Sequence, residues 1–85
     1  MATEKQKEKA WDNAKKIRGK NPELYRRDEY GNTIYKPSYG KTSNMGWEVD
    51  HTHPKAKGGT ESLRNVQAVQ WLENRIKSDT YPYKK

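Results

Sequence analysis

The groups able to do chemistry in this chain gather in its second half. Asp50 and His51 stand side by side, His53 follows two residues on, and Asn65 and Asn74 lie among Lys55, Lys57, Arg64, Arg75 and Lys77. There is no Cys, which excludes a disulfide framework, a Cys-based zinc ribbon and thiol catalysis together. Any reaction must therefore run on imidazole, carboxylate, amide and hydroxyl groups. Imidazoles titrate near ~6.5, so they can exchange protons at neutral pH. Taken singly, His51 reads as a surface strand histidine, Asn65 as a turn residue and Asn74 as an exposed helical amide; only their order along the chain raises them above that.

The elements that must carry these residues can be read from the pattern. Trp47-Glu-Val-Asp-His51 alternates like a strand, residues 54–60 form a basic Gly-Gly loop, and residues 65–68 form a second short strand. A helix fits residues 69–78, with Val69, Leu72 and Ile76 on a side expected to face the core and Asn74 on another face with Lys77 and Ser78. Adjacent residues on a regular strand point to opposite faces, so a shared task for Asp50 and His51 predicts an irregular backbone there. Upstream, residues 3–18 read as a helix with the stripe Ala10, Trp11, Ala14 and Ile17, ended by Gly19. Asn21-Pro22 reads as the cap of a short helical turn over residues 22–26. Turn signals then crowd residues 28–46, with Thr33-Ile34-Tyr35 the only strand candidate between them, and residues 80–85 read as a fraying tail.

Composition bounds what such a chain can be. Eighty-five residues suffice for one small domain, and nine Leu, Ile and Val with no Phe make a thin core. Three Trp and six Tyr compensate, since aromatics bury large areas per residue. Eighteen Lys and Arg against eleven Asp and Glu give a formal charge of +7, which favours a polyanionic partner. No apolar run approaches the ~20 residues of a membrane span or the core of a secretory signal, so a cytoplasmic setting without a membrane partner is expected.

The stretch over residues 47–79 resembles the HNH nuclease motif of the ββα-metal superfamily. That motif runs Asp-His, two residues, Pro, a Lys and Gly-Gly loop, Leu-x-Asn-Leu-Gln, and a helix ending Lys-Gly-Asp. Its counterparts here are Asp50-His51, Pro54, Lys57-Gly58-Gly59, Leu63, Asn65-Val66-Gln67 and Lys77-Ser78-Asp79. Each element alone is common; five in order are not. The three name positions fall on His51, Asn65 and Asn74, an H-N-N variety similar to small phage and bacterial HNH nucleases. The two Cys pairs that hold a structural zinc in many members are replaced by segments such as Gln70-Trp-Leu-Glu73, so no structural zinc is expected, and packing by Trp47 and Trp71 must serve instead. Tyr25-Arg26-Arg27-Asp28 stands where many members carry Arg-Asp-Gly, but Glu29-Tyr30 follows.

The resemblance implies an α+β fold in a single domain, 1–85: a ββα-metal core of a short hairpin packed on a helix, with an N-terminal helix and a turn-rich connection. It implies a metal-dependent endonuclease that hydrolyses DNA phosphodiester bonds, leaving 5′-phosphate and 3′-hydroxyl ends. His51 would be the general base, Asn65 would brace the hairpin, and Asp50 with Asn74 would hold one Mg²⁺ or Mn²⁺. Hard oxygen ligands suit such an ion. One base and one ion imply one strand cut per event, so a monomer nicks and a duplex break needs two visits or a weak dimer, with slight sequence preference because no base-reading helix is evident. Lys55, Lys57, Arg64, Arg75 and Lys77 would grip the backbone of a DNA duplex, with RNA left open. His53 is an accessory candidate: a second phosphate contact or inert, ahead of an alternative base, because the motif places the base directly after Asp. The alternatives are a non-catalytic nucleic-acid-binding module, or an accessory subunit of a phage packaging or restriction complex in a bacterial or phage-infected cell.

Overall fold

In the computed structural model, which describes residues 2–84, the chain runs α1 (Glu4–Asn13), β1 (Lys15–Lys16), β2 (Tyr25–Arg27), β3 (Thr33–Tyr35), β4 (Trp47–His51), β5 (Val66–Gln70) and α2 (Trp71–Lys77). β1, β2 and β3 form one antiparallel sheet, and β4 and β5 a second. The architecture is α+β with small antiparallel sheets. Met1 and Lys85 lie outside the described residues, so the expected fraying of the tail is untested at its last position. No helix among the described residues is long and apolar enough to cross a membrane.

α1 starts where a capping box fixes it: Thr3 Oγ1 accepts from the Gln6 amide and Gln6 Oε1 from the Thr3 amide, both at 3.0 Å. It stops at Asn13, five residues before the expected end at Arg18. The reason is tertiary. Buried Arg26 donates to the carbonyls of Asp12 at 3.2 Å and Ala14 at 3.4 Å, groups a helix end leaves without partners. Lys15 and Lys16 then extend to pair with Arg27 and Arg26. Residues 22–26 are likewise not a helical turn throughout, because Tyr25 and Arg26 belong to β2, which pairs with β3 in the register Tyr25↔Tyr35 and Arg26↔Ile34.

The core is Ala10, Trp11, Ile34, Trp47, Val66 and Ala68. Trp11 and Trp47 meet at 5.2 Å between ring centroids. Both indoles are satisfied, by the Pro22 carbonyl at 3.0 Å and the Tyr35 carbonyl at 3.0 Å, so the rings are buried without stranding a donor. Trp11 thus takes the place expected of Trp71. Trp71 is only half-buried, its indole donating to the Ser43 carbonyl at 2.9 Å.

β4 and β5 pair without interruption from Trp47↔Gln70 to His51↔Val66. The expected irregularity at Asp50 and His51 is absent, and alternation along a regular strand settles the outcome. Trp47, Val49 and His51 share the face that packs on α1, whereas Glu48 and Asp50 share the face that packs on α2. α2 is turned over relative to expectation. Leu72 and Ile76 are 49% and 63% exposed, while Glu73 and Lys77 are buried. A helix of seven residues has little apolar face to bury, and the strand face opposite it carries two carboxylates that draw in Asn74 and Lys77.

Asp28 ties the two sheets together. Its buried carboxylate accepts from the amides of Tyr30 and Asn32 across the β2–β3 turn and from the Gln70 amide at the start of α2, at 2.8–3.0 Å. The tail is also held. Tyr81 stacks on His53 with centroids 4.1 Å apart, and the Tyr83 hydroxyl donates to Glu73. That hydrogen bond pushes the Tyr83 hydroxyl up to about 12, against an ordinary value near ~10. The folded state then holds this proton more tightly than the unfolded chain. The resulting contribution is complete below pH ~10 and is lost as pH rises through about 12. Spectrophotometric titration of tyrosinate should show a late step that Tyr83→Phe removes; an unchanged curve would mean that the tail is not docked through Tyr83.

Candidate active site

His51 ends β4 and opens into a cavity of about 450 Å³ that it shares with Glu48, Lys55, Glu61 and Asn74. The loop from Thr52 to Asn65 closes one side. Its shape is set by Asn65, whose amide nitrogen donates to the carbonyls of His53 at 2.9 Å and Thr60 at 2.7 Å, while its oxygen accepts from the His53 amide at 2.8 Å. These bonds staple the two ends of the loop, as a turn-bracing asparagine does. Gly59 is required at the same crossing, because a Cβ there would sit 1.6 Å from the His53 carbonyl oxygen.

His51 Nε2 lies 2.6 Å from Glu61 Oε1, and Lys55 Nζ lies 2.9 Å from Glu61 Oε2. Lys55, then His51, hold the Glu61 carboxyl below the usual carboxylate range. Across the cavity, Asn74 donates to Glu48 Oε1 at 2.9 Å and Arg75 Nη2 lies 2.7 Å from Glu48 Oε2. Arg75 lowers the Glu48 carboxyl in the same way, against an upward push from burial, and the Asn74 hydrogen bond adds a smaller downward pull.

The positions foreseen from sequence are therefore brought together in part. His51 and Asn74 face one cavity; Asp50 is not among the residues lining it. Asp50 Oδ2 instead lies 2.9 Å from Lys77 Nζ and accepts from Gln67 Nε2 at 3.1 Å, on the α2 side of β4. Lys77, expected to grip a nucleic-acid backbone, is corrected to a buried counter-ion, 1% exposed. Lys55 borders the cavity, paired with Glu61, whereas Arg75 does not line it and reaches it only through its pair with Glu48. Lys57 is exposed and offers its carbonyl to His53 Nε2 at 2.7 Å. Arg64 lines a separate cavity beside Asn13, Thr52 and Gln67. His53 is held by that carbonyl and stacked on Tyr81, and it does not line the cavity of His51.

Two carboxylates of the cavity, Glu48 and Glu61, were not singled out in the sequence. Glu48 carries a readable signal, since it lies two residues before Asp50 on the same strand face. Glu61 carries none, because its approach to His51 depends on the staple made by Asn65.

No family model, curated protein or solved structure matches the chain.

Proposed function

We propose that the chain is a small metal-dependent endonuclease of the HNH type that nicks duplex DNA with little sequence preference. The observation that carries this reading is that one cavity at the edge of β4 is lined both by His51, from the end of that strand, and by Asn74, from α2, in a hairpin-and-helix unit whose loop is stapled by Asn65. The order of these elements along the chain is also that of the motif the sequence resembles.

The residues present fit a hard divalent cation by donor type. Glu48 and Asp50 supply carboxylate oxygens from one face of β4, and Asn74 supplies an amide oxygen from the helix packed on that face. Asp50 and Asn74 would hold Mg²⁺ or Mn²⁺ only if Asp50 exchanges Lys77 for the ion and reaches round the edge of β4 to the cavity of His51; among the described residues no cluster of three His, Asp or Glu stands ready for a metal. When bound, such an ion supplies charge neutralisation at the phosphate and the leaving oxygen. The chain's own groups do the rest: His51 takes a proton from the attacking water, and Lys55 and Arg75 set positive charge at the rim of the cavity for the phosphate backbone.

Asn74 touches Glu48, and this gives position 74 a distinctive test. Asn74→Asp should retain more nicking than Asn74→Ala. It should also melt lower in EDTA than in Mg²⁺, because it sets a second carboxylate against Glu48, whose one guanidinium partner, Arg75, cannot offset both charges as a bound cation would. Equal loss of activity in both variants, with a melting temperature indifferent to Mg²⁺, would remove position 74 from the ligand set.

A second reading is favoured by one observation, the prior neutralisation of Asp50 by buried Lys77. On that reading the chain is a non-catalytic nucleic-acid-binding module or an accessory subunit. It would bind DNA in a salt-dependent way, indifferent to metal and to His51→Ala. Relaxation of supercoiled plasmid that requires Mg²⁺ or Mn²⁺ and disappears in His51→Ala distinguishes the two.

A further inference from the structure

His51 does not face its cavity alone. Glu61 Oε1 stands 2.6 Å from His51 Nε2. A carboxylate can only accept, so the proton of the neutral ring resides on Nε2 and the lone pair on Nδ1. The position of Glu61 is built rather than incidental. Thr60, before it, is held by Asn65 through its carbonyl at 2.7 Å; Ser62, after it, caps the following turn by accepting from the Arg64 amide at 3.1 Å. The other carboxylate oxygen is held by Lys55 at 2.9 Å, which keeps Glu61 charged and fixes its second rotatable end.

We propose that Glu61 is a positioning residue for His51, a carboxylate behind the imidazole that fixes its tautomer and ring orientation with Nδ1 as the proton acceptor. This rests on the nuclease reading above and adds to it a residue that the motif does not name. In the step it serves, the water oxygen forms a bond to phosphorus as its proton moves to Nδ1. The P–O3′ bond breaks, and the 3′ oxygen departs with the electron pair and takes a proton from solvent. Glu61 remains ionised and stabilises the imidazolium without receiving its proton. The function of Asn65 follows from the same geometry: it acts on His51 through the placement of Glu61, two residues removed from any contact with the ring.

The test compares Glu61→Ala and Glu61→Gln with the wild type on a short DNA duplex in saturating Mg²⁺, resolving kcat from KM. Glu61→Ala should lower kcat about tenfold with KM unchanged; the figure is modest for a dyad because the carboxylate is exposed to water. Glu61→Gln keeps an acceptor oxygen and should recover to within about threefold of wild type. Independently of turnover, ¹⁵N spectra of the metal-free protein should show His51 ring shifts that change in Glu61→Ala while those of His53 stay fixed. An unchanged or raised kcat in Glu61→Ala, or His51 ring shifts indifferent to it, would overturn the assignment. A wild type that cuts nothing would sink the nuclease reading instead, and the spectra would still decide whether Glu61 holds the ring.

Discussion

His51→Ala should cut DNA about 10²–10⁴-fold more slowly than the wild type, the usual contribution of a positioned general base, while its melting temperature and its affinity for DNA stay close to wild type. The selectivity follows from where the ring sits. His51 closes β4 at the cavity, paired with an exposed carboxylate on a loop, and contributes nothing to the aromatic core. Its removal therefore deletes chemistry with little packing. His53→Ala is the matched control. That ring is tied to the Lys57 carbonyl and stacked on Tyr81, so its loss should loosen the tail and leave the rate within a few-fold of wild type. A comparable collapse of rate in both variants would mean that the histidines act as a pair.

Asp50→Ala should destabilise the fold by about 3–5 kcal/mol, because it leaves a buried ammonium without its counter-charge. Lys77 is 1% exposed, and its Nζ lies 2.9 Å from Asp50 Oδ2 but outside hydrogen-bonding directions, so charge alone holds the pair. In a domain this small such a loss shifts the melting temperature by well over ten degrees at ~4–8 °C per kcal/mol. The double variant Asp50→Ala/Lys77→Met should recover most of it, since an unbranched apolar side chain of similar length fills the same space with no charge to strand. A melting temperature for Asp50→Ala within a few degrees of wild type would show that Lys77 escapes to solvent. The consequence for function is direct: activity lost in Asp50→Ala confounds unfolding with ligand loss. Mn²⁺ binding by Asp50→Asn/Lys77→Met, which keeps the shape at position 50 and strands no charge, compared with Lys77→Met alone, is the cleaner probe of that position.

The same contrast explains how much of the molecule was legible in its sequence. The hairpin was, because strict alternation over Trp47–His51 and a Lys-Gly-Gly loop are local signals that the pairing of β4 with β5 merely completes. The start of α1 was, through Thr3 and Gln6. Its end was not, since Lys15 and Lys16 leave the helix only because Arg26, far along the chain, takes the carbonyls of Asp12 and Ala14. The orientation of α2 was misread for a related reason. Apolar spacing assigned Leu72 and Ile76 to the core, but the surface awaiting that helix is a strand face bearing Glu48 and Asp50, which Asn74 and Lys77 satisfy. At the site, the pairing of Asp50 with His51 looked like one locus because the two are adjacent in sequence; the unbroken ladder sends them to opposite faces. Asn65 was read as a brace and makes the bonds of one.

The central claim is tested most directly by incubating the wild-type chain with supercoiled plasmid in Mg²⁺, in Mn²⁺ and in EDTA, and resolving the products on a gel. The expected result is open circles that accumulate with either metal and are absent in EDTA. Intact supercoils under all three conditions, with the plasmid still retarded by the protein to the same extent, would contradict the nuclease reading and leave a nucleic-acid-binding module in its place.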